Sequence, residues 1–224
     1  GNENTETITI TSDATGEPGF AGIFMRNNGS DAGPTVELKA QTINITTEDS
    51  GVWLQNGTQA DDTPEDGTHL TIEAENININ TPNGSGLRVY SNSKLDVEGN
   101  LVINAKDAID TRGNSIINVN TSGKYSTVLN GDIVFETPNE KDGNPHQSGE
   151  IINSTVNVGL TGENSSWTGR AYQSFPGIED DVSLGGNDPY YGDVEDFAVN
   201  ISDGARWEMT GDSFANTVNV KNGG

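Results

Sequence analysis

Ile alternates with short polar residues in "TITIT" (7–11), "TINIT" (42–46) and "NININ" (76–80). Strict alternation puts every second side chain on one side, the pattern of a strand with a single buried face. Ile8, Ile43 and Ile77 follow one another at spacings of 35 and 34 residues. A second apolar stretch comes after each: "GIFMRN" (22–27), "GVWLQN" (51–56) and "GLRVYS" (86–91). A third completes the unit: "TVELKA" (35–40), "HLTIEA" (69–74) and "KLDVEG" (94–99). The third stretch runs almost directly into the next Ile segment. The unit therefore reads strand, turn, strand, longer loop, strand. Recurrence at a near-constant period predicts an all-β parallel solenoid with roughly three short strands per turn, each turn laying its Ile over the Ile of the turn before.

The pattern continues less regularly in "NLVINA" (100–105), "SIINVN" (115–120), "GDIVFE" (131–136), "STVNVGL" (154–160), "DFAVNIS" (196–202) and "NTVNV" (216–220). About seven to nine turns at ~4.8 Å each predict a rod of roughly 35–45 Å. No stretch has a capped 3.6-residue apolar period, so helices are expected to be minor. "TPNEKDGNPHQSGE" (137–150) and the acidic stretch 174–196 break the rhythm and are expected to be loops leaving the coil.

Composition agrees with a thin core. The 224 residues include 28 Gly and are only 31% hydrophobic, little to fill a two-layer globule. A length of this order fits one domain, 1–224. The formal net charge of −23 argues against nucleic acid and anionic membranes, which need basic patches. No run of about 18 apolar residues and no signal-like start is present. The lack of cysteine is compatible with both sides of a membrane.

"ARWEMTGDSFANTVNV" (205–220) has a partner within the chain. Met209-Thr210-Gly211-Asp212-Ser213 and Leu160-Thr161-Gly162-Glu163-Asn164-Ser165 both set an apolar residue before Thr-Gly and an acid, with a Trp nearby at 207 and 167. By this match the Met209 segment is expected about two turns after the Leu160 segment. Turn chemistry accounts for these residues without any ligand: Gly permits positive φ, while Asp and Ser bond nearby amides. Trp207 and Met209, then Val218 and Val220, are expected to point inward on either side of a corner.

The form carried by Ala205, Trp207, Met209, Thr210, Gly211, Asp212, Ser213, Asn216, Val218, Val220, Gly223 and Gly224 resembles the repeated turns of bacterial autotransporter passenger domains of the pertactin-like type. It is specific over 153–170 and 197–224 and generic elsewhere. The resemblance implies a right-handed parallel β-helix exposed at the bacterial surface, commonly adhesive, with a C-terminal membrane barrel in the full-length protein. No barrel stretch lies within 1–224, so the chain is expected to be a piece of a longer surface protein.

Chemistry is sparse. "KDAIDTRGN" (106–114) offers Asp107, Asp110 and Arg112 and faintly resembles the Asp-bearing strand ends of polygalacturonase-type helices, but a second Asp pair and a Gly-His-Gly are missing. Among so many acids this spacing arises by chance, and a solvated turn is the favoured reading. His69 and His146 are the sole histidines, and neither has a Ser or Asp constellation. Calcium is a lesser option at Glu179-Asp180-Asp181 and in "GGND" (185–188). The acidic loop also holds Tyr172, Phe175, Tyr190 and Tyr191, and exposed Tyr beside Asp188 and Asp193 can stack on sugars or anchor a protein.

The expectation is a non-catalytic, monomeric passenger segment, adhesin or stalk, without cofactor or metal, whose partner is a host glycan or an extracellular protein. A polysaccharide-active enzyme is the first alternative. It requires Asp107, Asp110 and Arg112 on one face with further carboxylates on adjacent turns. A structural component of a surface layer or biofilm matrix is the second.

Overall fold

The computed structural model describes residues 5–13, 21–27, 32–56, 67–136, 154–175, 178–182 and 196–224, with backbone alone at 175 and 178–182. The described chain is all-β: fifteen strands joined in one sheet network, without a helix. Three series of parallel pairings organise it. The first runs from Thr7–Ser12 through 42–47, 76–81, 100–105, 127–130 and Ser166–Gly169 to Arg206–Met209. The second runs from Ala21–Asn27 through Ser50–Asn56, 85–90, 107–112 and 132–136 to 171–174. The third runs from 35–40 through 68–73, 93–98, Ile116–Val119, Thr155–Thr161 and Asp196–Ser202 to Thr217–Lys221. Ile178–Val182 pairs antiparallel with Ala171–Phe175.

The register follows the apolar alternation. Ile8 pairs with Ile43 and Ile43 with Ile77; Ile23 pairs with Val52 and Val52 with Leu87. A one-residue slip would turn every Ile outward, so burial of one side fixes the pairing. Ile43, Ile45, Ile77, Ile79, Leu101 and Ile103 are fully buried and belong to one continuous cluster that also takes in Leu70, Leu87, Ile109, Val156 and Phe197.

Corners between the first and second series depend on small residues. A Cβ on Gly51 would come 2.5 Å from Ile79 Cγ2 and 2.6 Å from the Gly86 carbonyl oxygen; one on Gly86 would come 2.5 Å from Ile103 Cγ2 and 2.8 Å from the Ala108 carbonyl oxygen. At these corners two successive residues, Gly51-Val52 or Gly86-Leu87, face the interior. The first must be small because the neighbouring tier's backbone crosses there.

A different device closes Ile116–Val119. Asn120 takes a positive φ of 48°, which stops the strand. The two hydrogens of its buried amide nitrogen are shared among the Gly99 carbonyl (2.8 Å), the Ser126 carbonyl (3.1 Å) and Thr127 Oγ1 (2.7 Å), and its oxygen accepts from the Gly99 amide (2.9 Å). One side chain thus satisfies backbone groups where no strand runs alongside.

Two details of the 205–220 reading are corrected. The Trp167 segment pairs directly with the Trp207 segment, Trp167 opposite Trp207, so they lie one tier apart instead of two. Leu160 stands opposite Ile201 and Met209 opposite Gly169, so the Thr-Gly-acid match is out of phase with the strand register and the Trp match is in phase. Val218 and Val220 continue the Val199 and Ile201 columns yet are 46% and 57% exposed, because no described strand pairs beyond them.

Candidate functional site

Among the described residues, a dense cluster of polar side chains lies on the outer side of the second series. Within 107–112 the interior positions are Ala108, Ile109 and Thr111, all fully buried, which leaves Asp107, Asp110 and Arg112 facing outward together. Register extends the set along the stack. Trp53, Arg88, Asp110, Val134 and Tyr172 share one column, while Tyr90, Arg112 and Glu136 share the next. Asp132 stands opposite Asp107.

The solvated-turn reading of 106–114 is overturned. The strand Ser93–Arg112 covers 106–112, leaving only Gly113 and Asn114 in a bend, and Asp110 is only 2% exposed. Its Oδ2 accepts three hydrogen bonds, from Ser85 Oγ (3.1 Å), Arg88 Nε (2.9 Å) and Tyr90 Oη (2.9 Å). Arg88 also donates from Nη2 to Ser85 Oγ (3.1 Å) and reaches Asp49 at 3.7 Å. A buried carboxylate is tolerated when it is paired and hydrogen-bonded, and this one meets both conditions.

Rings and guanidinium groups interleave around it. Arg88 lies 5.2 Å from the Trp53 centroid and 5.8 Å from that of Tyr90, and Arg112 lies 4.4 Å over Tyr90. Phe24 meets Trp53 edge-on at 5.3 Å, and Trp53 meets Tyr90 at 6.3 Å. Such contacts favour a fixed arrangement of cations over ring faces. Arg112 pairs with Glu136 at 3.8 Å. One tier further, Asp132 accepts from the Arg170 amide at 3.0 Å and from its Nε at 3.4 Å, and Arg170 lies 4.4 Å over Tyr172.

Burial and crowded carboxylates shift the proton equilibria. Burial, then the charge of Asp110, pushes the Asp107 carboxyl up to about 6. The same two causes raise Glu136. Burial raises the Tyr90 hydroxyl beyond its ordinary range, helped by Asp110 and Glu136. Tyr172 goes up to about 12, by burial and then by Asp107 and Asp132. Burial opposes the charge of Arg88, but Asp110 holds its guanidinium above the ordinary value. Asp107 Oδ1, Asp110 Oδ1 and the Trp53 indole N–H are buried without a hydrogen-bond partner. The arrangement can hold a proton near neutrality at Asp107 while Asp110 is enclosed by donors.

Sequence reasoning identified Asp107, Asp110 and Arg112 and missed Ser85, Arg88, Tyr90 and Glu136. The available signal was register, since the aligned second stretches already set Trp53 above Arg88 and Gln55 above Tyr90. Tyr172 belongs to the strand Ala171–Phe175 and not to the acidic loop. Tyr190, Tyr191, Asp188 and Asp193, proposed as binding residues, lie outside the described residues, as do His146 and the side chains of Glu179, Asp180 and Asp181. No family model, curated protein or solved structure matches this chain.

Proposed function

We propose that the chain is a right-handed parallel β-helix with three short strands per turn and that it works as a surface-exposed, non-catalytic passenger segment, an adhesin or stalk, at the bacterial cell surface. The observation that carries this reading is the Trp167–Trp207 stack. The Trp-bearing segments that motivated the autotransporter resemblance fall in register on adjacent parallel strands, ring over ring. That is how a repeated passenger turn would be used. The three parallel series give three long outer sides on which a ligand could be held. The full-length protein would carry a membrane barrel, and the ligand would be a host glycan or an extracellular protein. Passing the purified chain over immobilised glycans, matrix proteins and cells tests the adhesive part; absence of retention on all three leaves the stalk role alone.

A second reading is favoured by Asp107. Its carboxyl sits near 6, the range suited to a general acid, with Asp110 on the same outer side and Glu136 one tier along. Hydrolysis of a polysaccharide would use Asp107 to protonate the leaving oxygen. The enclosure of Asp110 by three donors weighs against it as the paired base. Reducing-end release that disappears in Asp107→Asn supports hydrolysis; no release from neutral or acidic polysaccharides between pH 4 and 8 removes it.

A further inference from the structure

Along its first six strands the outer side of the first series bears no charge; the seventh strand, Arg206–Met209, places Arg206 and Glu208 at its end. Its outward positions in 7–11, 42–46, 76–80, 100–104, 128–130 and 166–168 are Thr, Asn, Ser and Val without a single acid or base. The chain carries 34 acidic residues, and the third series shows them on its outer side as Glu37, Glu73, Asp96 and Glu98. The second series bears the guanidinium and carboxylate cluster. One strip six strands long is therefore neutral on a molecule of net charge −23.

The strip is also ordered. Asn78 Nδ2 donates to Asn44 Oδ1 at 2.9 Å, and Asn130 Nδ2 donates to Asn104 Oδ1 at 2.8 Å. An amide has two donors and two acceptor sites, and a ladder contact uses one of a kind on each partner. Each of these two contacts restrains its amides, so these four side chains have less rotamer freedom to lose on binding; Val102 stands opposite Asn78, so the two contacts do not join. Thr hydroxyls beside the amides donate and accept equally well.

We infer that this strip is a docking surface for an uncharged, hydroxyl-rich polymer, a neutral glycan chain lying along the stack. The inference rests on the adhesive reading above and specifies its ligand class. Sugar hydroxyls both donate and accept, as the Thr and Asn groups do. Polyanionic glycans are repelled by the net charge, whereas a neutral chain gains nothing and loses nothing electrostatically. Dimensions select a chain over a globular partner. Three outward residues span about 13 Å and six strands about 24 Å, roughly 300 Å². A stable protein interface needs about 800 Å² per partner, so a second copy of this chain is a poor occupant. No aromatic ring lies on the strip to stack a sugar, so each contact is weak and retention comes from repeated contacts along one chain.

The test measures retention of the chain on dextran, mannan and a neutral β-glucan, on uronate-rich polysaccharides, and on matrix proteins. Retention on at least one neutral polysaccharide is expected, tightening at least tenfold from trisaccharide to polymer. The triple variant Thr9→Glu, Thr46→Glu, Asn76→Glu, all exposed positions with none directly opposite another, lowers it at least tenfold with an unchanged unfolding midpoint. The double variant Glu37→Gln, Glu73→Gln on the third series leaves it intact. Adhesion to proteins, cells or uronates that survives the triple variant overturns the neutral-strip inference and keeps the adhesive reading. Retention on no surface at all overturns both.

Discussion

Trp167 and Trp207 stack with ring centroids 4.2 Å apart and planes 10° from parallel. Each indole N–H donates to the carbonyl of a glycine at the end of the preceding first-series segment, Trp167 to Gly131 (2.9 Å) and Trp207 to Gly169 (3.1 Å). The two residues occupy equivalent places in successive tiers, with equivalent hydrogen bonds. They differ in cover. Trp167 is fully buried and also meets Phe197 at 6.2 Å, whereas Trp207 is half-buried at the last described strand of its series.

That difference sets an asymmetric outcome for truncation. Trp167→Ala removes a large buried ring and is expected to cost about 3–5 kcal/mol. Trp207→Ala is expected to cost about 1–2 kcal/mol, since its ring is covered on one side only. Urea unfolding of both single variants and the double variant measures this. Stacking predicts a coupling of about 1 kcal/mol between them. Equal costs would mean that the two positions are not distinguished by burial.

The Asp110 cluster makes a second test. Asp110→Asn keeps the shape but discards the charge that Arg88 faces, and it turns one oxygen into a donor. A destabilisation of about 2–4 kcal/mol is expected, because Arg88 and Tyr90 lose their acceptor in a buried setting. Tyr90→Phe deletes one donor to Asp110 and is expected to cost about 1 kcal/mol. Arg88 retains Asp49 at 3.7 Å, which limits the loss in Asp110→Asn. Denaturant midpoints at pH 7 decide it. An Asp110→Asn variant as stable as the parent would show the cluster to be energetically neutral.

Asp107 yields a pH dependence of definite sign. Its carboxyl goes from an ordinary 3.8 up to about 6 in the folded chain, so the folded state binds the proton more tightly than the unfolded state. Stability from this group is therefore highest below about 4. It falls as pH rises towards 6 and stays lost above that. Asp107 is only partly buried, so the loss is discounted to roughly 1–2 kcal/mol. Asp107→Asn removes the penalty. The variant is expected to match the parent at pH 4 and to exceed it above pH 6.5. A stability difference that does not change with pH would contradict the assignment.

Much of the architecture was legible because alternation and period were measured on the same residues. Ile8, Ile43 and Ile77 paired as spaced, and the second and third stretches paired with their counterparts. What escaped was burial on the outer side. Composition made Asp110 look like one acid among many, and its neighbours Arg88 and Tyr90 are 22 and 20 residues away in sequence. Only the register of one further strand, Thr68–Tyr90, brings them together. The Thr-Gly-acid match misled for a related reason. Turn residues recur wherever a corner is needed, so they mark corners without saying which tier follows which. The Trp pair is constrained by a buried ring and kept the true phase.

The corner glycines supply the last test, and it separates space from conformation. Gly86 carries no positive φ, so an Ala there would meet no backbone strain of its own. The obstacle is contact: its Cβ would press on Ile103 Cγ2 at 2.5 Å and on the Ala108 carbonyl oxygen at 2.8 Å. Neither yields easily, since Ile103 is fully buried and Ala108 lies in the adjacent paired strand. Ala108 fills the same inward place one tier on, where the pairing register shifts between Asp107 and Ile109 to admit it. Gly86→Ala is therefore expected to lose about 1–3 kcal/mol by overpacking. Ala108→Gly is expected to lose about 1 kcal/mol or less, through a removed methyl and a freer unfolded chain. Combining Gly86→Ala with Ile103→Val, which removes one methyl from the contact, should recover part of the loss in a urea midpoint. No recovery would place the obstacle at the Ala108 carbonyl rather than at the side chain.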